Sequence, residues 1–150
     1  MKKTRSQQFI ELFRYWCGRL KLDKNIPVIK DNRYDCYACV EHSRRHQKKV
    51  LKYNTKKLAR WNEAFLVCGV FHEIAHLKEK MPYRTNQEKI ACESRAERFA
   101  LNMLKKHYPK LYRENIRYGK DSLRDTRWHK NDQLNYAVLK RIREYNPKIK

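Results

Sequence analysis

The sequence has few of the residues that mark turns, with three glycines and four prolines among 150 residues. A large β-sandwich or barrel needs more of them, so their scarcity favours a helix-rich domain. Long apolar runs are also lacking: the longest, residues 64–71, is far shorter than the roughly 20 residues that cross a bilayer. No secretory signal is visible, so we expect a cytoplasmic protein with reduced cysteines and no membrane partner.

Acidic residues are scarce as well, with 16 Asp and Glu against 37 Lys and Arg, which gives a net charge of +21. Residues 1–60 hold 17 basic and 5 acidic residues, residues 105–150 hold 14 and 5, and residues 61–104 hold six of each. The excess charge therefore lies in two flanks. Such flanks attract nucleic acid or another polyanion, but a solvated, Lys-rich surface without a dedicated partner explains them equally well.

The order of apolar and polar segments predicts one α+β domain over residues 1–150. Residues 26–29 are short, apolar and contain Pro27, which is typical of an edge strand. Residues 34–42 and 49–54 resemble two more strands, and the polar residues 43–47 between them favour an antiparallel hairpin. We therefore expect a small antiparallel or mixed sheet of about three strands, packed on a buried helix and accompanied by four to five helices in all.

The helices are expected where apolar residues recur at helical spacing between capping residues and prolines. Ser6 is a candidate N-cap for the first of them. Residues 64–77 are apolar nearly all round, so the helix that contains them should be buried. The first predicted helix starts near Ser6, and the others cover residues 54–60, 61–80, 88–107 and 131–145. Pro82 and Pro109 are expected to terminate the helices that precede them. Residues 110–128 show no clear pattern.

The most informative motif, His72-Glu73-Ile74-Ala75-His76, lies within that buried helix. Two histidines four residues apart stand one above the other, so both rings can bind one zinc ion. Glu73, one position further, can take a proton from water at the metal. Burying these polar groups without partners would cost several kcal/mol, roughly, and a bound cation removes most of that cost.

A catalytic zinc needs a third protein ligand, and several residues could supply it, including His107 and His129. Glu93 and Glu97 are the strongest candidates because they share one face of the next helix, beside its apolar stripe. We assign Glu93 to the metal. Glu97 would accept a hydrogen bond from a ligand histidine and fix its tautomer. Ordinary ion pairs with neighbouring basic residues are the alternative for both carboxylates.

The motif at 72–76, followed seventeen residues after His76 by Glu93-Ser94-Arg95-Ala96-Glu97-Arg98-Phe99-Ala100, resembles the gluzincin clan of metallopeptidases. The most similar types are the ImmA/IrrE-like peptidases and the minimal single-domain gluzincins, and the resemblance covers about residues 26–104. It implies a zinc-dependent endopeptidase with one Zn²⁺ per chain, bound by His72, His76 and Glu93, in which Glu73 is the general base that activates water. Glu97 falls on the position that supports a zinc-bound histidine.

The resemblance also implies an edge strand that aligns an extended protein or peptide substrate. We place it at residues 48–54, with Val50, Leu51, Lys52 and Tyr53 as candidate substrate contacts.

Two other hypotheses stay open. Cys36, Cys39, His42 and His46 could bind a second metal, although two cysteines three apart on a strand point to opposite faces. The chain could also be a nucleic-acid-binding protein with a structural or inactive zinc site, or a peptidase held on DNA or RNA by its basic flanks.

Overall fold

The computed structural model of the chain describes residues 1–79 and 84–124. These residues belong to two compact units, Met1–Pro82 and Tyr83–Lys150. The described part is α+β, with five helices and a small mixed sheet of three strands, which confirms the predicted fold class. None of its helices is both long enough and apolar enough to span a membrane.

Helix α1 spans Arg5–Arg19 and begins two residues earlier than an N-cap at Ser6 would allow. Thr4 is the N-cap: its hydroxyl accepts from the Gln7 N–H at 3.2 Å, and the Gln7 side chain accepts from the Thr4 N–H at 2.9 Å. The assignment of Ser6 as N-cap was wrong, because Ser6 is buried inside the first turn. The reciprocal Thr4–Gln7 pair satisfies two helix-end donors at once.

Lys21, just after the C-terminus of α1, has a left-handed backbone conformation with a φ of 57°. The Leu22 N–H bonds the Cys17 carbonyl at 2.8 Å, and the Lys21 N–H bonds the Gly18 carbonyl at 3.2 Å. These two bonds form a Schellman motif, in which glycine is the usual residue at the left-handed position.

The sheet contains β1 (Val28–Lys30), β2 (Ala38–Ser43) and β3 (Lys48–Tyr53), in the order β1-β3-β2. β2 and β3 form the predicted antiparallel hairpin, and β1 adds to β3 in parallel. The short strand near residues 26–29 therefore lies at an edge, as expected. The predicted edge position of residues 48–54 was wrong, because β3 pairs with a strand on each side and β2 is the other edge.

Asn54 connects the end of β3 to the short helix α2 (Thr55–Leu58). Its side-chain oxygen accepts from the N–H groups of Lys56 and Lys57, and its amide nitrogen donates to the carbonyls of Asn32 and Tyr34. Asn54 is buried, so these bonds replace those it would make to water. The predicted helix at 54–60 is confirmed in its start and cap.

Helix α3 spans Glu63–Lys78 and is capped by Asn62, whose side chain accepts from the Phe65 N–H at 2.9 Å. As predicted, it is buried on most sides. It packs on α1, where the rings of Trp16 and Phe71 meet edge to face at 5.0 Å. It also packs on β2. Helix α3 is thus the centre of the N-terminal unit, with α1 and the sheet packed against it.

The second unit contains α4 (Asn86–His107), capped by Thr85, and α5 (Pro109–Arg124), which pack on each other. Pro109 ends α4 as predicted, and it also starts α5. Proline suits this position because the first helical residue needs no N–H donor. Helix α5 covers most of residues 110–128, for which the sequence pattern predicts no element. The predicted helix at 131–145 lies outside the described residues.

Candidate metal centre

His72 and His76 lie on successive turns of α3, and their Nε2 atoms are 3.0 Å apart. The two rings meet edge to face with centroids 4.7 Å apart. His76 is buried and His72 is half-buried. The i, i+4 spacing therefore brings two nitrogen donors to one point inside the N-terminal unit.

Glu73 is buried between the helix and the sheet, at 7% exposure. Its Oε2 atom accepts a hydrogen bond of 2.6 Å from the backbone N–H of Val40 on β2. The carboxylate also affects the neighbouring thiol: burial, with the negative charge of Glu73 next in importance, raises the pKa of Cys39 well above its usual range. The motif glutamate is thus bonded to the edge strand of the sheet.

Lys49 of β3 secures the C-terminal end of α3, the turn that carries His76. Its ammonium group donates to the carbonyls of His76 at 2.9 Å and Leu77 at 2.8 Å, and also to the carbonyl of Glu79. The carbonyls of His76 and Leu77 belong to the last turn of α3, which carries the negative end of the helix dipole, so a cation there is favourable. Lys49 therefore fixes the turn that holds the second histidine of the motif.

His72 and His76 lie on α3 of the N-terminal unit, and Glu93 lies on α4 of the second unit. Glu93 as the third metal ligand stays a prediction. Glu93 and Glu97 are both half-buried on α4. The role of Glu97 as a partner of a ligand histidine stays a prediction.

Within the described ranges, Cys36, Cys39, His42 and His46 do not form a group of three or more candidate metal ligands. Cys36 and His46 are exposed in the segments that precede and follow β2. In the strand itself, Cys39 and His42 are three residues apart and point to opposite faces.

The four residues proposed as substrate contacts lie in the central strand β3. Val50 and Leu51 are fully buried in the core. Lys52 pairs with Glu41 of β2 at 2.6 Å, and Tyr53 is half-buried opposite Ala38. Their backbone groups face other strands of the sheet, so β3 does not offer an open edge.

Sequence reasoning did not identify the contacts of Val40 and Lys49. A backbone N–H leaves no mark in a sequence, so Val40 had no signal. Lys49 is one of two adjacent lysines, and only the strand alternation shows that one of them points toward α3 while Lys48 is exposed. Neither contact can be predicted without knowing that β2 pairs with β3.

Comparison of the chain with family models, with curated proteins and with solved structures finds no match.

Proposed function

We propose that this chain is a zinc-dependent peptidase, in which His72, His76 and Glu93 hold one Zn²⁺ and Glu73 is the general base. The observation that carries the proposal is the pair of Nε2 atoms 3.0 Å apart on α3, with the buried carboxylate of Glu73 one residue from His72. This is the arrangement that the spacing of the motif predicts.

The donor set fits zinc. Zinc–nitrogen bonds of about 2.0–2.1 Å place two ligands of one tetrahedral ion roughly 3.3 Å apart, which is near the observed separation of the histidine nitrogens. Two imidazoles and one carboxylate are a ligand set of catalytic zinc sites, where a fourth position stays open for water or substrate. A bound zinc ion would supply a Lewis acid that makes water a stronger nucleophile near neutral pH.

Glu73 has the position that a general base requires. It follows a ligand histidine directly, and the Val40 N–H fixes the orientation of its carboxylate. In the proposed reaction the carboxylate takes a proton from the attacking water as the water oxygen bonds to the peptide carbonyl carbon. The same carboxylate then gives the proton to the leaving amine nitrogen as the C–N bond breaks.

The substrate strand is reassigned from β3 to β2. No strand among the described residues pairs with the outer side of β2, and the Val40 N–H reaches Glu73 on that side. Because outward and inward backbone groups alternate along an antiparallel strand, Ala38 and His42 also present their groups outward. An extended peptide can add to such an edge by backbone hydrogen bonds.

The test is to measure zinc content by elemental mass spectrometry together with cleavage of a peptide library. We expect about one zinc per chain in the native protein and in Glu73→Gln, and less in Glu93→Ala. Cleavage should occur in the native protein and fall by at least about 10³-fold in Glu73→Gln. Full cleavage by Glu73→Gln, or a native chain that takes up no zinc, would overturn the proposal.

A second candidate function is nucleic-acid binding, alone or combined with peptidase activity. The observation in its favour is the net charge of +12 on residues 1–60, which form most of the N-terminal unit. Binding of a single-stranded oligonucleotide, measured by fluorescence anisotropy, should then weaken steeply with salt. Weak affinity at low salt, or affinity that does not change with salt, would exclude it.

A further inference from the structure

The edge strand β2 leads directly into a basic turn. Val40, which bonds Glu73, is three residues from Ser43 at the end of the strand. At a rise of about 3.4 Å per residue, the turn begins roughly 10 Å from the carboxylate of Glu73 along the strand. A peptide paired with β2 beside Glu73 would therefore run past this turn.

The basic turn, residues 44–47 together with Lys48 at the start of β3, presents only positive charge. Arg44, Arg45 and Lys48 are exposed, and none of the ion pairs recorded within residues 1–79 involves them. Its shape is set by other groups: the His46 N–H donates to the Ser43 hydroxyl at 3.3 Å, and Gln47 adopts a left-handed φ of 51°. The arginines are therefore not engaged in holding the turn together.

The acidic and basic residues next to the turn have other partners. Glu41, the one acidic residue of β2, accepts from the Tyr34 hydroxyl at 3.1 Å and pairs with Lys52 at 2.6 Å. Lys49 caps helix α3. What remains beyond the end of β2 is a cluster of exposed cations whose natural complement is an acidic group on a partner.

We propose that this basic turn makes the chain selective for peptides with acidic side chains. An extended substrate paired with β2 would place Asp or Glu against Arg44 and Arg45 about three to five residues from the cleaved bond, on one side of it only. The proposal rests on the proposed peptidase function, because the cleaved bond is defined by Glu73.

An acidic peptide fits this surface better than a nucleic acid does. The Val40 N–H is taken by Glu73, but His42, two residues further toward the turn, is exposed and its outward N–H and C=O groups can match the backbone of an extended peptide. Single-stranded nucleic acid is usually held by basic residues interleaved with stacking aromatic side chains, and residues 42–49 contain no Phe, Tyr or Trp. The charge at the turn adjoins a peptide-binding edge, and no stacking platform lies beside it in sequence.

The first experiment measures binding without cleavage. Fluorescein-labelled ten-residue peptides carrying three glutamates, three serines or three lysines at one end are titrated into zinc-loaded Glu73→Gln and followed by anisotropy. We expect the glutamate peptide to bind about tenfold more tightly than the serine peptide at low salt, and this ratio to shrink as salt screens the charges. The lysine peptide should bind most weakly.

The double variant Arg44→Glu/Arg45→Glu should reverse the order of the three peptide affinities, so that the lysine peptide binds most tightly. The double variant Arg44→Gln/Arg45→Gln should bind the three peptides equally. The matched control is Arg14→Glu/Lys24→Glu, which makes the same change in net charge at two other exposed positions of the N-terminal unit. The control should keep the preference for glutamate. Equal loss in the control would overturn the proposal, because net charge would then explain the preference.

Cleavage by the native chain separates the two proposals. Cleavage with no acidic preference would overturn the inference and leave the peptidase function standing. Absence of all cleavage, with acidic binding that depends on Arg44 and Arg45, would overturn the peptidase function while supporting the acidic-peptide surface. An oligonucleotide of equal charge that displaces the glutamate peptide and binds more tightly would identify the turn as a nucleic-acid contact and overturn the inference.

Discussion

The buried carboxylate of Glu73 and the backbone N–H of Val40 are joined by a hydrogen bond of 2.6 Å. Both residues are buried, so the bond connects the central helix to the edge strand where water cannot replace it. The side chain proposed to move a proton therefore also has a structural role, and the two roles can be separated by substitution.

Glu73→Gln should keep the bond, because the amide oxygen can still accept from Val40. Glu73→Ala leaves the buried Val40 N–H without this acceptor and should destabilise the metal-free protein by about 1–3 kcal/mol relative to Gln. Urea unfolding of both variants in the presence of a chelator checks this. Equal stability of the two variants would contradict a structural role for the bond.

Lys49→Met should destabilise the protein by about 1–3 kcal/mol, because three carbonyls at the end of α3 lose a charged donor. Its neighbour Lys48 is exposed, so Lys48→Met is a matched control that should change stability by less than about 0.5 kcal/mol. Thermal unfolding measures both. Weaker zinc binding in Lys49→Met alone would show that the cap also positions His76.

Two helical glycines should respond in opposite directions to alanine. A Cβ at Gly69 would lie 2.5 Å from Cζ3 and 2.7 Å from Cη2 of Trp61, so Gly69→Ala forces the indole to move. At Gly18 the nearest atom is Lys24 Cδ at 3.9 Å, which is ordinary contact. Gly18→Ala should therefore stabilise by roughly 0.5–1 kcal/mol through helix propensity.

For Gly69→Ala we expect the steric cost of moving the indole to exceed the gain in helix propensity. The midpoint of urea unfolding should therefore fall. The near-ultraviolet circular dichroism of Trp61 should change in this variant and not in Gly18→Ala. A Gly69→Ala variant as stable as Gly18→Ala would mean that the indole repacks without cost.

Stability should fall as pH rises from about 9 to 11, in part because of Cys17. Burial, followed by the charge of Asp23, raises the pKa of this thiol from its ordinary 9.0 to about 11. The Cys17 thiol therefore keeps its proton to a higher pH in the folded state than in the unfolded state. Its contribution to the free energy of unfolding is complete below pH 9 and is lost as the pH rises past 11. Urea midpoints of the native chain and Cys17→Ala, both with chelator, isolate the contribution: the native midpoint should fall more steeply.

Replacing Lys21 with glycine should stabilise the protein by about 0.5–1 kcal/mol, because its φ of 57° costs a side chain energy that glycine avoids. Lys21→Ala is the control: it removes the same side chain but keeps a Cβ, so it should bring no such gain. Thermal unfolding of the two variants distinguishes them, and a similar gain in both would point to loss of the lysine charge as the cause.

The predictable parts of this fold depend on local patterns. The buried helix, the hairpin, the short helix after Asn54 and the edge strand near Pro27 all follow from apolar periodicity, capping residues and turn residues. The His72–Glu73–His76 arrangement follows from helix geometry alone. For each of these the deciding residues lie within a few positions of one another.

The wrong assignments concern choices between similar local signals or pairing between distant segments. Thr4 and Ser6 are both plausible caps, and the reciprocal bond with Gln7 decides between them. The order of the strands depends on β1 joining β3 in parallel, and no residue of β3 indicates it. The assignment of residues 50–53 as an open edge failed for that reason.

Asn54 illustrates how much can depend on one atom. Its amide nitrogen donates to two carbonyls of the loop before β2, while its oxygen caps α2. Deamidation to Asp would replace that donor with an oxygen facing the carbonyl oxygens of Asn32 and Tyr34, and would turn two attractions into repulsions. Slow chemical ageing at this one side chain would thus loosen the approach to the edge strand while leaving the cap of α2 intact.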